Sequence, residues 1–259
     1  MNNTLAVLAL IILIGFGGYW LYTNDSTETS TNGDTTALEI KGENVSYFEA
    51  ANGYFVRPVS DGSYPGVVMI HENRGLRAEI RKAAEDLAKE GYLVLAVDLL
   101  GAPVETQEEA RALTSKFDQT NGTANMRAAA NFLRGAGATK VASWGWCFGG
   151  KQSVELAISG EQLDATVVYY GGGMATTTTR LAPIKWPVLG IFGDADQAIP
   201  VTTVRAFESS LNELGVKNDI YIYPGVGHAF ANPSNPNHAP AETADAWQKT
   251  LAFLNEHLK

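Results

Sequence analysis

Six short apolar runs recur along the chain and alternate with longer segments of mixed polarity. Each run is apolar at nearly every position, which is typical of strands buried on both faces of a mostly parallel sheet. The runs cover residues 66–70, 92–97, 140–144, 165–170, 188–192 and 219–223. Strands that alternate with helices in this way predict an α/β protein with a doubly wound sheet and right-handed crossovers.

The segments between the runs are predicted helices. One covers residues 78–90 and stops before Gly91, a residue suited to a helix C-terminus. The others cover residues 105–116, 124–133, the stretch after Cys147, 201–214 and 241–258. Ahead of the first run, β-favouring residues flank Asn52-Gly53, a dipeptide typical of two-residue hairpin turns. We expect the domain to open with an antiparallel hairpin that turns there.

Residues 4–22 form an uncharged, apolar stretch that is about long enough to cross a bilayer as a helix. Aromatic residues at its end stand where interfacial side chains occur in membrane helices. A cleaved secretory signal is the alternative, although no Lys or Arg precedes the stretch. A third interpretation is that the N-terminal segment is soluble or that the start of the chain is wrongly assigned. We expect residues 1–22 to anchor the protein in a membrane with the catalytic domain outside the cytoplasm, or to direct secretion.

The next segment, residues 23–37, is rich in Thr, Ser, Asn and Asp and almost without apolar side chains. Such a composition cannot bury enough surface to order itself, so we expect a disordered tether. Residues 38–259 are then one catalytic domain, expected to act as a monomer.

The charge of the chain limits the classes of binding partner, and its cysteine content limits disulfide formation. The formal net charge is −9 and the pI is near 5.0, without any Lys or Arg tract that could neutralise a row of phosphates. Nucleic acid is therefore excluded as the expected partner. The chain has one cysteine, so it forms no intramolecular disulfide.

That cysteine lies in the segment SWGWCFGG, between a predicted strand and a predicted helix. Gly145 and Gly149 frame Cys147 in a G-x-C-x-G pattern, which is the strand-turn-helix context of a nucleophile elbow with Cys in place of Ser. A thiol at a helix N-terminus is favoured as the thiolate. A lone cysteine is otherwise most often a small buried apolar residue. Cys147 is therefore a candidate nucleophile only if it has partners.

Two partners follow in the chain order of α/β-hydrolases, which is nucleophile, acid and then histidine. Asp196 comes after the run at 188–192, and His228 comes after the run at 219–223. An imidazole activates a thiol by proton transfer, and a carboxylate on its other nitrogen fixes the tautomer. Asp194 is the alternative acid. We predict a catalytic triad of Cys147, Asp196 and His228.

The loop after the run at 66–70 reads HENRGL and reaches the same sheet edge. In α/β-hydrolases this loop supplies one backbone N-H of the oxyanion hole, and the residue after the nucleophile supplies the other. Those amides are predicted to belong to Asn73 and Phe148. Glu72 is expected near the thiol, or else it is a surface carboxylate paired with Arg74 or Arg77.

Several separated motifs together resemble the dienelactone hydrolase family. They occur in order from about residue 45 to the C-terminus: MIHENRGL, GYLVLAVDLLG, SWGWCFGG, VVYYGG, IFGDADQAIP and GVGHAFANP. The resemblance implies the same triad, and it implies that Glu72 accepts the thiol proton when substrate binds. It further implies attack on an ester or lactone carbonyl, an acyl-thiol intermediate and hydrolysis by water, without metal or cofactor.

One position departs from the family pattern. Dienelactone hydrolases place an arginine four residues after the catalytic histidine, where it meets the glutamate and the substrate carboxylate. This chain has Asn232 there, and an amide cannot make the bidentate charged contact of an arginine. The resemblance also implies a second substrate-binding arginine in the helical region before the elbow, for which Arg111 is the candidate. The other candidate substrate-binding residues are Asn232, Arg74, Arg77 and Trp146, the last in a predicted apolar-walled pocket.

The sequence as a whole predicts a cofactor-independent hydrolase of a small ester or lactone. A general carboxylesterase or thioesterase is the first alternative. The second is a protein that keeps the fold and uses Cys147 as an oxidisable thiol for sensing or binding.

Overall fold

In the computed structural model, which describes residues 37–259, the chain forms eight strands and seven helices, and strands and helices alternate for most of its length after β3. The strands are β1 (Ile40–Phe48), β2 (Ala51–Pro58), β3 (Gly66–Ile70), β4 (Leu93–Val97), β5 (Val141–Trp146), β6 (Ala165–Tyr169), β7 (Val188–Gly193) and β8 (Asn218–Tyr223). The helices are α1 (Ala78–Lys89), α2 (Gln107–Thr114), α3 (Gln119–Gly135), α4 (Phe148–Ile158), α5 (Thr178–Leu181), α6 (Val201–Glu213) and α7 (Pro240–Leu258).

All eight strands join one sheet in the order β1-β2-β4-β3-β5-β6-β7-β8. The strands from β4 to β8 run parallel, and β2 pairs antiparallel with both β1 and β4. Every residue of β3 to β7 is buried, because helices cover both faces of the parallel part. The predicted α/β class, with a doubly wound sheet and an N-terminal hairpin, is confirmed.

Helices divide between the two faces of the sheet. Ser143 and Trp144 are neighbours on β5 and so point to opposite faces. Ser143 accepts a hydrogen bond from Ser153 of α4, whereas Trp144 packs on Trp247 of α7. Because β3, β5, β7 and β8 run parallel, their carboxyl ends lie at one edge of the sheet. Ligands bind at this edge in such folds.

The hairpin turns at a different place from the predicted one. Phe48 pairs with Ala51, so Glu49 and Ala50 form the turn and Asn52-Gly53 lies within β2. A side chain at Gly53 would meet Leu95 and a backbone oxygen of β4 within 3 Å. The glycine therefore serves the close approach of two strands rather than a turn.

Within residues 37–259 there is no helix both long and apolar enough to cross a membrane. The longest of them, α7, carries charged residues throughout, among them Asp245 and Lys249. Residues 4–22, which carried the prediction of a membrane anchor, and residues 23–36 of the predicted tether lie outside the described residues. The predictions of a transmembrane helix, a membrane location and an extracytoplasmic catalytic domain are corrected to this extent: residues 37–259 contain no helix that could hold the protein in a membrane.

Candidate active site

Cys147 lies in a sharp turn between β5 and α4. Its backbone has φ 53° and ψ −113°, a conformation that is unusual for a residue with a side chain. A Cβ atom at Gly145 would come within 2.0 Å of the Gly149 carbonyl oxygen, and one at Gly149 within 2.2 Å of the Ile70 carbonyl oxygen. The two glycines therefore allow the turn to close tightly against the end of β3.

The loops after β7 and β8 bring Asp196 and His228 to this turn. The Nε2 atom of His228 lies 3.0 Å from the Sγ of Cys147, and its Nδ1 lies 2.7 Å from Oδ2 of Asp196. The other carboxylate oxygen of Asp196 accepts the backbone N-H groups of Ala198 and Ile199. Asp196 is thus buried and fixed in position, with one oxygen turned to the imidazole.

Asp194, the alternative acid, does not reach the histidine. It is exposed, and its carboxylate accepts the backbone N-H of Gly225 at 2.6 Å. Its contact joins the loops after β7 and β8, so the residue acts as a turn contact in this structure.

The imidazole of His228 is held in its charged form. Burial lowers its pKa, but the hydrogen bonds to Asp196 and Cys147, together with their negative charges, raise it by more, to about 10. At neutral pH the ring therefore carries two protons, and one of them is directed at the sulfur.

Two backbone N-H groups beside Cys147 have no acceptor within residues 37–259. They belong to Phe148, which opens α4, and to Asn73 in the loop after β3. His71 fixes that loop: the N-H of Leu99 donates to Nε2 of His71, so Nδ1 carries the hydrogen and donates to the Glu72 carbonyl at 2.6 Å. Burial lowers the pKa of His71, which keeps the ring neutral.

Glu72 lies in the cavity and has two hydrogen-bond donors. Nδ2 of Asn232 donates to Oε2 at 2.5 Å, and the hydroxyl of Tyr170 donates to Oε1 at 3.4 Å. Burial raises the pKa of Glu72, and these two donors and the charge of His228 only partly offset it. The residue is therefore neither a surface carboxylate nor paired with an arginine, contrary to the alternative drawn from the sequence.

The candidate arginines differ in placement. Arg74 and Arg77 both line the cavity. Arg77 is paired with Glu79 and Glu105, whereas the guanidinium of Arg74 has no acid partner within residues 37–259. Arg111 is exposed on α2 and does not line the cavity, so the structure does not bring this candidate to the site.

The cavity itself has a volume of about 340 Å³ and opens between α1, α7 and the loop 232–236. Cys147, His228, Glu72 and Asn232 line it, as does Trp146. No group of three or more His, Cys, Asp or Glu side chains within residues 37–259 is placed to hold a metal ion.

Two residues that complete the site had no specific role in the sequence prediction, which named Tyr170 only as one of several aromatic residues of an apolar-walled pocket. Tyr170 donates to Glu72, and Trp247 of α7 lines the cavity. Tyr170 has a positive φ of 36° at the end of β6, a position where a bulky residue indicates local strain. Trp247 falls on the amphipathic pattern of a long helix, which gives no indication of a cavity.

A sheet of this order with an elbow, an acid and a histidine at its carboxyl edge defines an α/β-hydrolase fold. The model of the dienelactone hydrolase family matches residues 51–258. The chain belongs to the dienelactone hydrolase family, which is a family of carboxylic ester hydrolases, and the resemblance seen in its motifs is confirmed.

Comparisons with individual proteins are consistent with this family assignment. The chain is 28% identical over 221 residues to a Salmonella typhimurium protein assigned as a carboxymethylenebutenolidase, covering 79% of this chain and 82% of the relative. It is 29% identical to a Synechocystis protein with the same assignment, covering 87% and 98%. A Klebsiella pneumoniae crystal structure, assigned as a dienelactone hydrolase, superposes with a TM-score of 0.77 at 26% identity, covering 84% of this chain and 99% of that one.

Proposed function

We propose that the protein hydrolyses a small ester or lactone with Cys147 as nucleophile, His228 as general base and acid, and Asp196 as the residue that orients the imidazole. The observation that carries the proposal is the chain of contacts from Asp196 through both nitrogens of His228 to the sulfur, at 2.7 and 3.0 Å. These lengths are within the reach expected of a nucleophile and its base.

The reaction would proceed in two halves. The Cys147 thiolate attacks the carbonyl carbon, and the carbonyl oxygen gains the negative charge, stabilised by the N-H groups of Asn73 and Phe148. The bond to the alcohol oxygen breaks, the imidazolium of His228 gives that oxygen its proton, and an acyl-thiol remains. Water then attacks the acyl-thiol as His228 takes its proton, which releases the acid and restores the sulfur.

Glu72 is proposed to accept the proton of the Cys147 thiol when substrate binds. Burial raises the pKa of the Glu72 carboxyl, so this group accepts a proton more readily than an exposed carboxylate does. Its two donors, Asn232 and Tyr170, hold it at the cavity wall beside the reacting groups. We expect Glu72→Gln to lower kcat and to change the pH profile of kcat; an unchanged profile would remove Glu72 from the mechanism.

A specific observation favours a second candidate, a carboxylesterase for neutral esters. The family arginine is replaced by Asn232, whose amide already donates to Glu72 and brings no charge for a substrate carboxylate. Arg74 is the cation of the cavity that remains to bind a carboxylate-bearing lactone.

A side-by-side assay tests both candidates. The rates of a carboxylate-bearing dienelactone and of p-nitrophenyl acetate are measured with the wild type, Cys147→Ala and Arg74→Ala. We expect hydrolysis to depend on Cys147; equal turnover by Cys147→Ala contradicts the proposal. A lower ratio of lactone to acetate turnover in Arg74→Ala supports the lactone, and an unchanged ratio supports the neutral ester.

A further inference from the structure

Much of the cavity lies beyond the reacting residues. From Cys147 back to Trp144 the chain makes three steps along β5, about 10 Å in a strand. The cavity follows β5 over that length, since Trp146 and Trp144 both line it. On α1 its lining runs from Glu79 to Asp86, again about 10 Å. The cavity therefore continues from the nucleophile into the space between α1 and α7.

Flat aromatic side chains form the sheet side and the α7 side of this space. The rings of Trp144 and Trp146 stack at 4.6 Å with 28° between their planes, and Trp247 lies 5.3 Å from Trp144. Ile80 and Ala83 form the opposite wall on α1. Rigid indole walls favour a planar ring, which stacks on them, over a flexible chain. These five residues are called the indole subsite below.

The indole N-H groups of the subsite share an unusual property. Trp186, which lies away from the cavity, donates its N-H to Thr166 at 2.9 Å, as a buried tryptophan ordinarily does. In contrast, Nε1 of Trp144 is buried without a partner, and no residue in the range 37–259 accepts the N-H of Trp146 or Trp247. The N-H of Trp144 is shielded even from the cavity, because Trp144 is fully buried. The N-H groups of Trp146 and Trp247 are therefore the two donors of the subsite that an acceptor oxygen on the ligand can pair with.

Charges at the subsite are paired among themselves. Lys82 forms an ion pair with Asp86, and Arg77 is held by Glu79 and Glu105. Apart from Arg74 in the loop after β3, no described cation of the lining is left to bind an anionic group, so a neutral ring fits the space between α1 and α7 better than a carboxylate-bearing one.

We propose that the indole subsite binds a neutral aromatic substituent of the substrate ester that carries alkoxy or similar acceptor oxygens. This inference rests on the proposed hydrolysis at Cys147 and names the substrate class of that same site. The ring stacks between the indoles and Ala83, and an oxygen on the ring accepts one of the free N-H groups.

The first experiment tests the space. Rates of ethyl acetate, ethyl phenylacetate and benzyl acetate hydrolysis are followed by proton release in the wild type and two variants. Ala83→Leu puts a branched side chain into the subsite, and Ala78→Leu, exposed on the same helix, is the matched control. For each variant, kcat/KM of the better of the two aromatic esters is divided by kcat/KM of ethyl acetate. We expect this ratio to fall at least tenfold in Ala83→Leu and to stay unchanged in Ala78→Leu. An unchanged ratio in Ala83→Leu overturns the proposal.

The second experiment tests the donors. Esters with a 4-methoxyphenyl ring are compared with 4-ethylphenyl esters, which have almost the same shape but no acceptor oxygen. One neutral hydrogen bond predicts a preference of about 3- to 10-fold for the methoxy ester in the wild type. The preference should fall towards one in Trp146→Phe or in Trp247→Phe. Its absence in the wild type, or its persistence in both variants, overturns the role of the N-H groups.

Hydrolysis of ethyl acetate, which has no aromatic ring, distinguishes a failure of the subsite proposal from a failure of the proposed hydrolase function. If the wild type hydrolyses ethyl acetate through Cys147 but shows no aryl preference, the subsite proposal fails and the hydrolase proposal stands. If turnover of every ester is the same in Cys147→Ala as in the wild type, the hydrolase proposal fails, and with it the inference.

Discussion

At the scale of single residues, the site depends on how each polar side chain is paired. Asp196 uses one oxygen for two backbone N-H groups and the other for His228, so the imidazole meets the sulfur in one orientation. His71 is fully buried and joins the loops after β3 and β4. Buried groups with complete pairing move little, and this rigidity gives the reacting atoms their geometry.

The raised pKa of His228 predicts how stability depends on pH. Its folded value of about 10 lies above the ordinary 6.5, so its contribution is complete below about pH 6.5 and is lost as the pH rises towards 10. The difference in unfolding free energy between the wild type and His228→Gln should therefore shrink from pH 6.5 to pH 10. Urea unfolding at several pH values measures it. His238→Gln, outside the site, is the control, and a constant difference for His228→Gln would contradict the assigned charge.

His71 is predicted to be a positioning residue for the oxyanion site. Its Nδ1-H holds the carbonyl of Glu72, and the same peptide unit presents the N-H of Asn73. We expect His71→Leu to lower kcat about tenfold or more with little change in KM, since loss of a whole oxyanion donor costs about 100-fold or more. His71→Gln keeps an N-H donor and should recover part of kcat. Equal kcat in the two variants would indicate a purely structural role.

At the scale of elements, a helix cap fixes the start of a helix that contributes to the cavity wall. The N-terminus of α2, whose Gln107 lines the cavity, has a complete capping box. The side chain of Thr106 accepts the N-H of Glu109, and the carboxylate of Glu109 accepts the N-H of Thr106. The hydrogen bonds from Thr106 lower the pKa of Glu109, which keeps this cap charged above acidic pH.

We expect Thr106→Ala to lower the free energy of unfolding by about 1 kcal/mol, because it leaves an N-H of α2 without its acceptor. Thermal unfolding measures the loss. Ser115→Ala at the other end of α2 removes a hydroxyl that bonds only a carbonyl and should cost less. A larger loss in Ser115→Ala would show that the box does not stabilise the helix.

At the scale of the whole molecule, residues 37–259 form one compact unit with a continuous core under both sheet faces. Backbone hydrogen bonds tie its first residues to the sheet domain, from the N-H of Leu38 to Lys89 and from the N-H of Val59 to Glu39. A unit with its own core and tied ends is expected to fold alone.

A chain that begins at Ala37 should therefore keep the Tm and the ester kcat/KM of the full chain. Differential scanning calorimetry and the acetate assay check both values, with Cys147→Ala in the shortened chain as the blank. A shortened chain that aggregates or unfolds at a lower temperature would place the domain boundary elsewhere.

Much of this fold was predictable because buried parallel strands are apolar at every position and so stand out in the sequence. Cys147, Asp196 and His228 could be named in advance because each follows the end of such a strand. The hairpin turn was misplaced because Asn52-Gly53 has the composition of a turn, while the contact of Gly53 with β4 joins residues more than 40 positions apart.

The sequence by itself determined the succession of apolar strands along the chain, the elbow glycines and the chain order of the three site residues, since these are local patterns. Only the tertiary structure decided which groups meet. It turned Asn232 rather than an arginine to Glu72, left Arg111 on the surface, and brought Trp247 from α7 against Trp144 on β5. Such pairings depend on how whole helices pack on the sheet, and no local pattern of residues encodes that packing.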